Sequence, residues 1–346
     1  MFANIPWLLY GATGRTGTLI VEHAVSRGHR PTLAGRDPTR LRAMAERFDL
    51  PWVSAPVTEL GRVIGDARLV LLAAGPFDAT TPPALRACLD AGVHYLDIAN
   101  EIGPAQAVLA AAESARERGI TALPAVGFGT VASDGVARHV ADRVPGATRL
   151  DLAILLGTDG TSAGARASTM LAMAGGGRLR RDGRLVRSAL GKGARRLATP
   201  IGDRTVVPVP TGDLVLSGHT TGIPDITVSF AVPMPPVAAR LTMPMLPTVA
   251  KVVGTRTGRA TKRPAPRPST GGEPARSYVW ARAATPDGRS AEAWLSTGEG
   301  YAYSARSAVL AIEATLAAEP QGATTVARAF GSGLSVEAGG ELLAPA

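Results

Sequence analysis

The sequence predicts an α/β protein, in which a Rossmann-type, doubly wound parallel sheet is followed by an α+β domain with a mixed or antiparallel sheet. Three observations carry this. A glycine-rich turn, "GATGRTG" (11–17), joins an apolar run to an amphipathic segment. Apolar runs and helical patterns then alternate as far as residue 126. Later in the chain, alternating strands on either side of turn residues replace that rhythm. The 346 residues suffice for two domains of about 100 to 200 residues each, which we place at 1–133 and 134–346.

The first strand is "IPWLLY" (5–10), ended by Gly11, and "TGTLIVEHAVS" (16–26) repeats Leu19, Ile20, Ala24 and Val25 at helical spacing. The alternation continues with strand "PTLAG" (31–35), helix "PTRLRAMAERF", strand "PWVSA" and a short helix near "VTELGRVIG". It ends with strand "RLVLLAA" (68–74), helix "PPALRACLDAG", strand "VHYLDIA" (93–99), helix "GPAQAVLAAAESARERG" and strand "ITALPAV" (120–126). Six strands separated by helices imply right-handed parallel crossovers. In the second domain "RLDLAILLG" from Arg149 reads as a strand and "SAGARASTMLAMAGGG" as a helix ended by glycines. "SYVWARAATPDGRSAEAWLST" (277–297) reads as a hairpin turned at Pro286, Asp287 and Gly288. A helix over 304–317 is expected to pack back on the first domain. The Met- and Pro-rich segment 232–254 cannot be one long helix; it suits a lid, a homodimer contact or a surface for a lipid-like substrate. The polar, basic stretch 255–276 reads as a mobile loop, and the open face of this domain is expected to close over the first domain's ligand.

The net charge of +9 does not point to nucleic acid. Only three of the 37 basic residues are lysine, the arginines are spread singly, and the clusters at 178–187 and 256–268 lack interleaved aromatics for base stacking. No apolar run of 18 residues and no signal-peptide pattern is present, so a cytoplasmic protein without a transmembrane segment is expected. The single cysteine, Cys88, lies in an alanine-rich helical pattern and reads as a buried thiol.

Between a strand and a helix, the glycines acquire a specific use. Gly11 permits a tight turn, Gly14 lets backbone approach a pyrophosphate, and Gly17 lets the helix pack on the strand, so the phosphates meet the helix N-terminus. The end of the second strand selects the dinucleotide. A carboxylate there binds a ribose hydroxyl, whereas arginine binds a 2′-phosphate; this chain has Gly35 and then Arg36, with Asp37 one step later before Pro38, where it would cap the next helix. NADPH is therefore the expected cofactor. Ligands of open parallel sheets lie beyond the carboxyl ends of the strands, which makes Asp97 and Glu101 candidates for handling protons. Each has a plain alternative, Asp97 bonding its own loop and Glu101 capping a helix. Tyr301 and Tyr303 either touch substrate or pack, and His94, His23 and His139 read as packed residues.

The chain has no Tyr-x-x-x-Lys pair, no His and Cys cluster with metal-ligand spacing, no nucleophile elbow and no phosphate loop of the nucleotide hydrolases. Reduction of an activated C=C or C=N bond suits that set, because a hydride carries most of the chemistry and one proton donor, or water, completes it.

Taken with "GATGRTG" and "LAGRD", the stretches "AAGPFDATTPPALRACLDAGVHYLDIANE" (73–101), "LPAVGFGTVASD" (123–134) and "GEGYAYSARSAVLAIEATL" (298–316) resemble the saccharopine dehydrogenase-like family, in its branch of stand-alone enoyl reductases. The resemblance implies an NADP-dependent oxidoreductase acting on a small or carrier-bound substrate. It implies that Gly11, Thr13, Gly14, Arg15, Thr16, Gly17, Gly35 and Arg36 hold the cofactor's phosphate side. Ala74, Gly75, Pro76 and Phe77 would lie beside its nicotinamide half, with Asp97, Asn100 and Glu101 at the mouth. Two departures, Asn100 in place of glycine and the Gly129 and Val131 positions, fall on the substrate side. They keep open a second reading, an NADP-binding sensor or scaffold without catalysis.

Overall fold

A computed structural model describes residues 5–157, 175–246 and 276–343. The chain forms two compact units, Met1–Gly135 with Tyr301–Gly339, and Val136–Gly300 with Gly340–Ala346.

The first unit is built on a parallel sheet whose strands are β1 (Trp7–Tyr10), β2 (Thr32–Gly35), β3 (Trp52–Ser54), β4 (Leu69–Leu72), β5 (His94–Asp97) and β6 (Thr121–Leu123). They lie in the order β6-β5-β4-β1-β2-β3, so the order reverses between β1 and β4. β1, β4, β5 and β6 are buried along their whole length, as expected of strands covered by helices on both faces. A seventh strand, Gly322–Ala323, pairs in parallel with β6, and only the fold could have shown it: two residues carry no periodicity to read.

The helices depart from expectation in three places. Helix α3 runs Phe77–Ala91 and begins five residues before Pro82, so the "GPF" stretch opens a helix instead of preceding one. "VTELGR" forms a 3-10 turn, Val57–Arg62, directly after Pro56. The long helix expected after β5 is divided into α4 (Ile102–Ala110) and α5 (Ala112–Glu117) at Ala111, whose N–H bonds the carbonyl of Val108. Helices α1 (Arg15–Ser26) and α2 (Pro38–Phe48) match their patterns, and α6 spans Phe128–Ala141.

The second unit holds a mixed sheet. Its main path runs Arg195–Leu197, Arg204–Pro208, Asp225–Val232, Arg149–Leu155, Ser277–Ala284, Ser290–Thr297 and Glu341–Leu343, and only the pair Asp225–Val232 with Arg149–Leu155 is parallel. The hairpin closes where expected: the N–H of Thr285 bonds Arg289 O at 2.9 Å, and Gly288 takes φ +94°. Trp280 and Trp294 face each other across it with ring centroids 6.3 Å apart. A further hairpin, Gly177–Arg181 with Arg184–Ser188, joins this sheet. Helix α7 (Asp213–Thr221) and the short α8 (Pro236–Thr242) belong to the same unit. Most of the helix expected over "SAGARASTMLAMAGGG", the end of the Met- and Pro-rich segment and nearly all of the basic stretch 255–276 lie outside the described residues. Helix α9 (Gly300–Ala318) contributes its residues from Tyr301 onward to the first unit.

Candidate functional site

The turn after β1 is set by two glycines. Gly11 has φ +95°, and a Cβ there would stand 2.7 Å from the carbonyl carbon of Ala73, so the turn passes against the exit of β4. A Cβ on Gly17 would stand 2.2 Å from Gly11 O; α1 thus packs directly on its own loop. Gly14 is the N-cap of α1 and offers no side chain, the first turn carries no acid, and Thr18 donates to Gly14 O at 2.9 Å. The N–H groups of Arg15, Thr16 and Gly17 therefore present the positive end of the helix beyond the sheet, with Thr13 in the loop before them.

At the end of β2, Gly35 packs on Leu41 and Arg36 stands exposed. Asp37 accepts from Arg40 N at 3.1 Å as the N-cap of α2, which commits its carboxylate away from a ribose. Burial pushes the Tyr10 phenol up while the Arg36 charge pulls it down, so Arg36 lies near the end of β1. Arg40 donates to Thr13 O at 2.5 Å. Arg15 stacks over the Tyr301 ring with its guanidinium carbon 3.8 Å from the centroid. Three arginines thus border the turn; Arg40 escaped sequence reading, although "RDPTR" puts it one helical turn after Arg36.

Ala74 and Phe77 are half-buried, whereas Gly75 and Pro76, joined by a cis peptide bond, are exposed. Thr80 of α3 donates to Ala74 O at 2.6 Å and closes this loop. After β5, Glu101 occupies the N-cap of α4 without capping it; its carboxylate accepts from Asn100 N at 2.9 Å. The Asn100 amide lies over the first turn of α6, where a Cβ on Gly129 would meet Nδ2 at 2.8 Å. Two of the departures noted in the sequence are therefore one structural pair, the amide filling space that the glycine leaves. Asn100 Oδ1 is buried and has no hydrogen-bond partner among the described residues. A turn with an open helix end, an arginine at the end of β2 and an uncommitted amide after β5 all lie at the carboxyl edge of one parallel sheet, on both sides of its reversal point.

The sequence profile of the saccharopine dehydrogenase NADP binding domain matches residues 7–123. Over those residues the chain is similar to a saccharopine dehydrogenase NADP-binding domain. The matched stretch includes the turn after β1 and the α1 N-terminus, which carries no capping side chain. A trans-acting enoyl reductase of Mycobacterium ulcerans is 31% identical over 144 residues, which cover 38% of this chain and 34% of that protein. A probable mitochondrial saccharopine dehydrogenase-like oxidoreductase of Arabidopsis thaliana is 33% identical over 113 residues, 27% of this chain and 25% of that one. The aligned region spans about a third or less of the curated relatives' length. Among solved structures, the apo saccharopine dehydrogenase (L-Glu forming) of Saccharomyces cerevisiae superposes with a TM-score of 0.66 at 13% identity, covering 99% of this chain and 100% of that one. That likeness is one of fold.

Within the first unit, two of the expected catalytic residues are enclosed and hydrogen-bonded to the protein. Asp97 is fully buried: Oδ1 accepts from Ala99 N at 2.9 Å and Ala125 N at 2.8 Å, and Oδ2 accepts from the Tyr95 hydroxyl at 2.8 Å. Burial pushes its carboxyl up to about 6, against which the three hydrogen bonds pull. Asp97 ties the loop after β5 to the loop after β6. Tyr303 is fully buried as well; its hydroxyl donates to Ser335 O at 2.7 Å, its ring packs edge-on against Phe128, and burial raises its phenol far above the ordinary value. One turn of α9 is fastened at the same place, with Ser304 accepting from Phe128 N and Ser307 donating to Val126 O, both at 3.0 Å. The sequence left both Tyr301 and Tyr303 open to substrate contact or packing; the burial separates them, Tyr303 enclosed and Tyr301 half-buried. His94 accepts from Thr121 N at 2.9 Å and Cys88 is enclosed, both packed residues. Among the described residues there is no group of three or more His, Cys, Asp or Glu that could hold a metal, and no helix is long and apolar enough to cross a membrane.

Proposed function

We propose that the chain is an NADPH-dependent reductase of an activated C=C bond in a small apolar or carrier-bound intermediate, with reduction of a C=N bond as its rival within the same chemistry. The observation that carries it is the uncapped, acid-free N-terminus of α1 beside Arg36, in a unit where Asp37 is spent on capping α2. This arrangement fits a dinucleotide with a 2′-phosphate: Gly11 to Gly17 and Arg36 would hold the phosphates, and Ala74 to Phe77 with Asn100 would flank the nicotinamide end. NADPH supplies a hydride when bound. The rest falls to the chain's own groups. Asn100, with Oδ1 uncommitted, orients a polar group at the mouth. Glu101 is the remaining carboxylate there, and the proton that completes the reduction passes from it or from water. The curated relatives named as enoyl reductases support C=C over C=N.

The burial of both Asp97 and Tyr303 favours a second reading, an NADP-binding sensor without catalysis. The separating experiment follows the cofactor's own absorbance with a panel of enoyl thioesters and cyclic imines. Turnover with enoyl thioesters is expected. Tight NADPH binding without oxidation across the panel, carrier-bound enoyl substrates included, would overturn the reductase in favour of the sensor.

A further inference from the structure

The second unit contains a half-buried cation, Arg180, without a counter-charge among the described residues. The strand Gly177–Arg181 meets Asp225–Val232 at one register position, Arg180 opposite Ile226, so the two side chains share a face of the sheet. Ile226 is fully buried, and that face is an apolar one. Arg180 extends across it beneath α7, where Gly218 leaves the space it needs: a Cβ there would stand 2.7 Å from Nε and 2.8 Å from Cζ.

The neighbouring arginines use their donors on the protein. Arg178 bonds Gly175 O and Gly177 O, and Arg181 bonds Ile226 O and Thr227 Oγ1. Arg180 does not: its Nε is buried with no hydrogen-bond partner among the described residues. Burial pulls its guanidinium down, with no carboxylate acting in the opposite direction. On α7 the residue next to Gly218, Ser217, is fully buried and its hydroxyl also has no partner among the described residues. Charges taken from water are found paired, because an isolated one loses its hydration with nothing in return. A planar guanidinium with donors to spare matches a carboxylate or phosphate in two-pronged fashion.

We propose that Arg180, in the niche left by Gly218, is the receptor of an anion-binding site in the second unit that takes the carboxylate or phosphate group of a small-molecule ligand. The site does not depend on the reductase reading, since Arg180, Ser217 and Gly218 all belong to the second unit.

The test titrates inorganic phosphate and, separately, acetate into the full chain saturated with NADPH, so that the turn at Gly11–Gly17 is not available to either anion. Calorimetry and thermal unfolding at matched ionic strength are the readouts. Saturable binding of at least one anion is expected, and the stronger of the two identifies the ligand group. R180M should weaken it about tenfold to a hundredfold, the range for a charged hydrogen-bonded pair. G218A should weaken it as well, by displacing the guanidinium. R180M keeps the apolar stem and removes the unpaired charge, so without added anion it should unfold no earlier than the parent. Equal binding by R180M, or no saturable binding by the parent, overturns the proposal; so does an R180M variant that melts earlier without anion and binds as before, which is the signature of a purely structural arginine.

Discussion

Replacing Asp97 by asparagine separates a positioning carboxylate from a proton carrier. The side chain is wholly enclosed, and burial raises its carboxyl from 3.8 to about 6. A carboxyl that ionises at a higher pH in the fold than in the open chain favours the fold while protonated. Its contribution is present in full below about pH 4 and is lost as the pH rises through about 6. The size follows from the shift itself, about 3 kcal/mol at about 1.4 kcal/mol per pKa unit. The amide of the D97N variant does not titrate. Its Oδ1 can still accept from Ala99 and Ala125, and its Nδ2 can face Tyr95, whose hydroxyl has Thr81 Oγ1 at 3.4 Å as an alternative acceptor. Urea unfolding of both proteins between about pH 4 and pH 8 should therefore show the parent losing about 3 kcal/mol relative to D97N across that window, with turnover retained in the variant. D97A leaves the N–H groups of Ala99 and Ala125 unpaired and should lose about 3 kcal/mol or more at every pH. Parallel pH profiles for parent and D97N would refute the titration argument. Loss of turnover in a D97N protein that binds NADPH normally would return Asp97 to the chemistry.

R36A should weaken NADPH about tenfold to a hundredfold and leave NADH nearly unchanged, read by fluorescence titration; an unchanged ratio of the two affinities would remove Arg36 from the 2′-phosphate. G17A forces a methyl to 2.2 Å from Gly11 O, so α1 must move off its loop, and we expect loss of NADPH binding with a stability cost of about 1 to 3 kcal/mol in thermal unfolding. Y303F removes the hydrogen bond to Ser335 O and should cost about 1 kcal/mol with turnover intact; a turnover loss at unchanged stability would contradict the packing role. E101Q should lower turnover about a hundredfold at unchanged NADPH affinity, and retention of full activity would assign the proton to water.

What the sequence determined by itself is what local chemistry encodes. The strand–turn–helix start was legible because Gly11 and Gly17 answer constraints met within a few residues, one a left-handed backbone and one a close approach of helix to loop. Arg36 and the capping Asp37 could be told apart from their order alone, since Pro38 marks the first helical position. The hairpin at Pro286 to Gly288 was legible for the same reason. Tertiary structure decided everything that depends on enclosure or on distant partners. For Asp97 and Tyr303 the sequence left a reactive and a structural reading open; the fold shows both enclosed, with three hydrogen bonds on the first and one on the second. Asn100 and Gly129, far apart in the chain, become one packed pair only when β5 and β6 are side by side. Arg180 was one member of the basic cluster 178–187 in the sequence, and its lack of a counter-ion among the described residues appears only once the sheet face and Gly218 surround it. Periodicity reports which face of an element is apolar; which charge that face leaves unpaired is settled by the elements that pack on it.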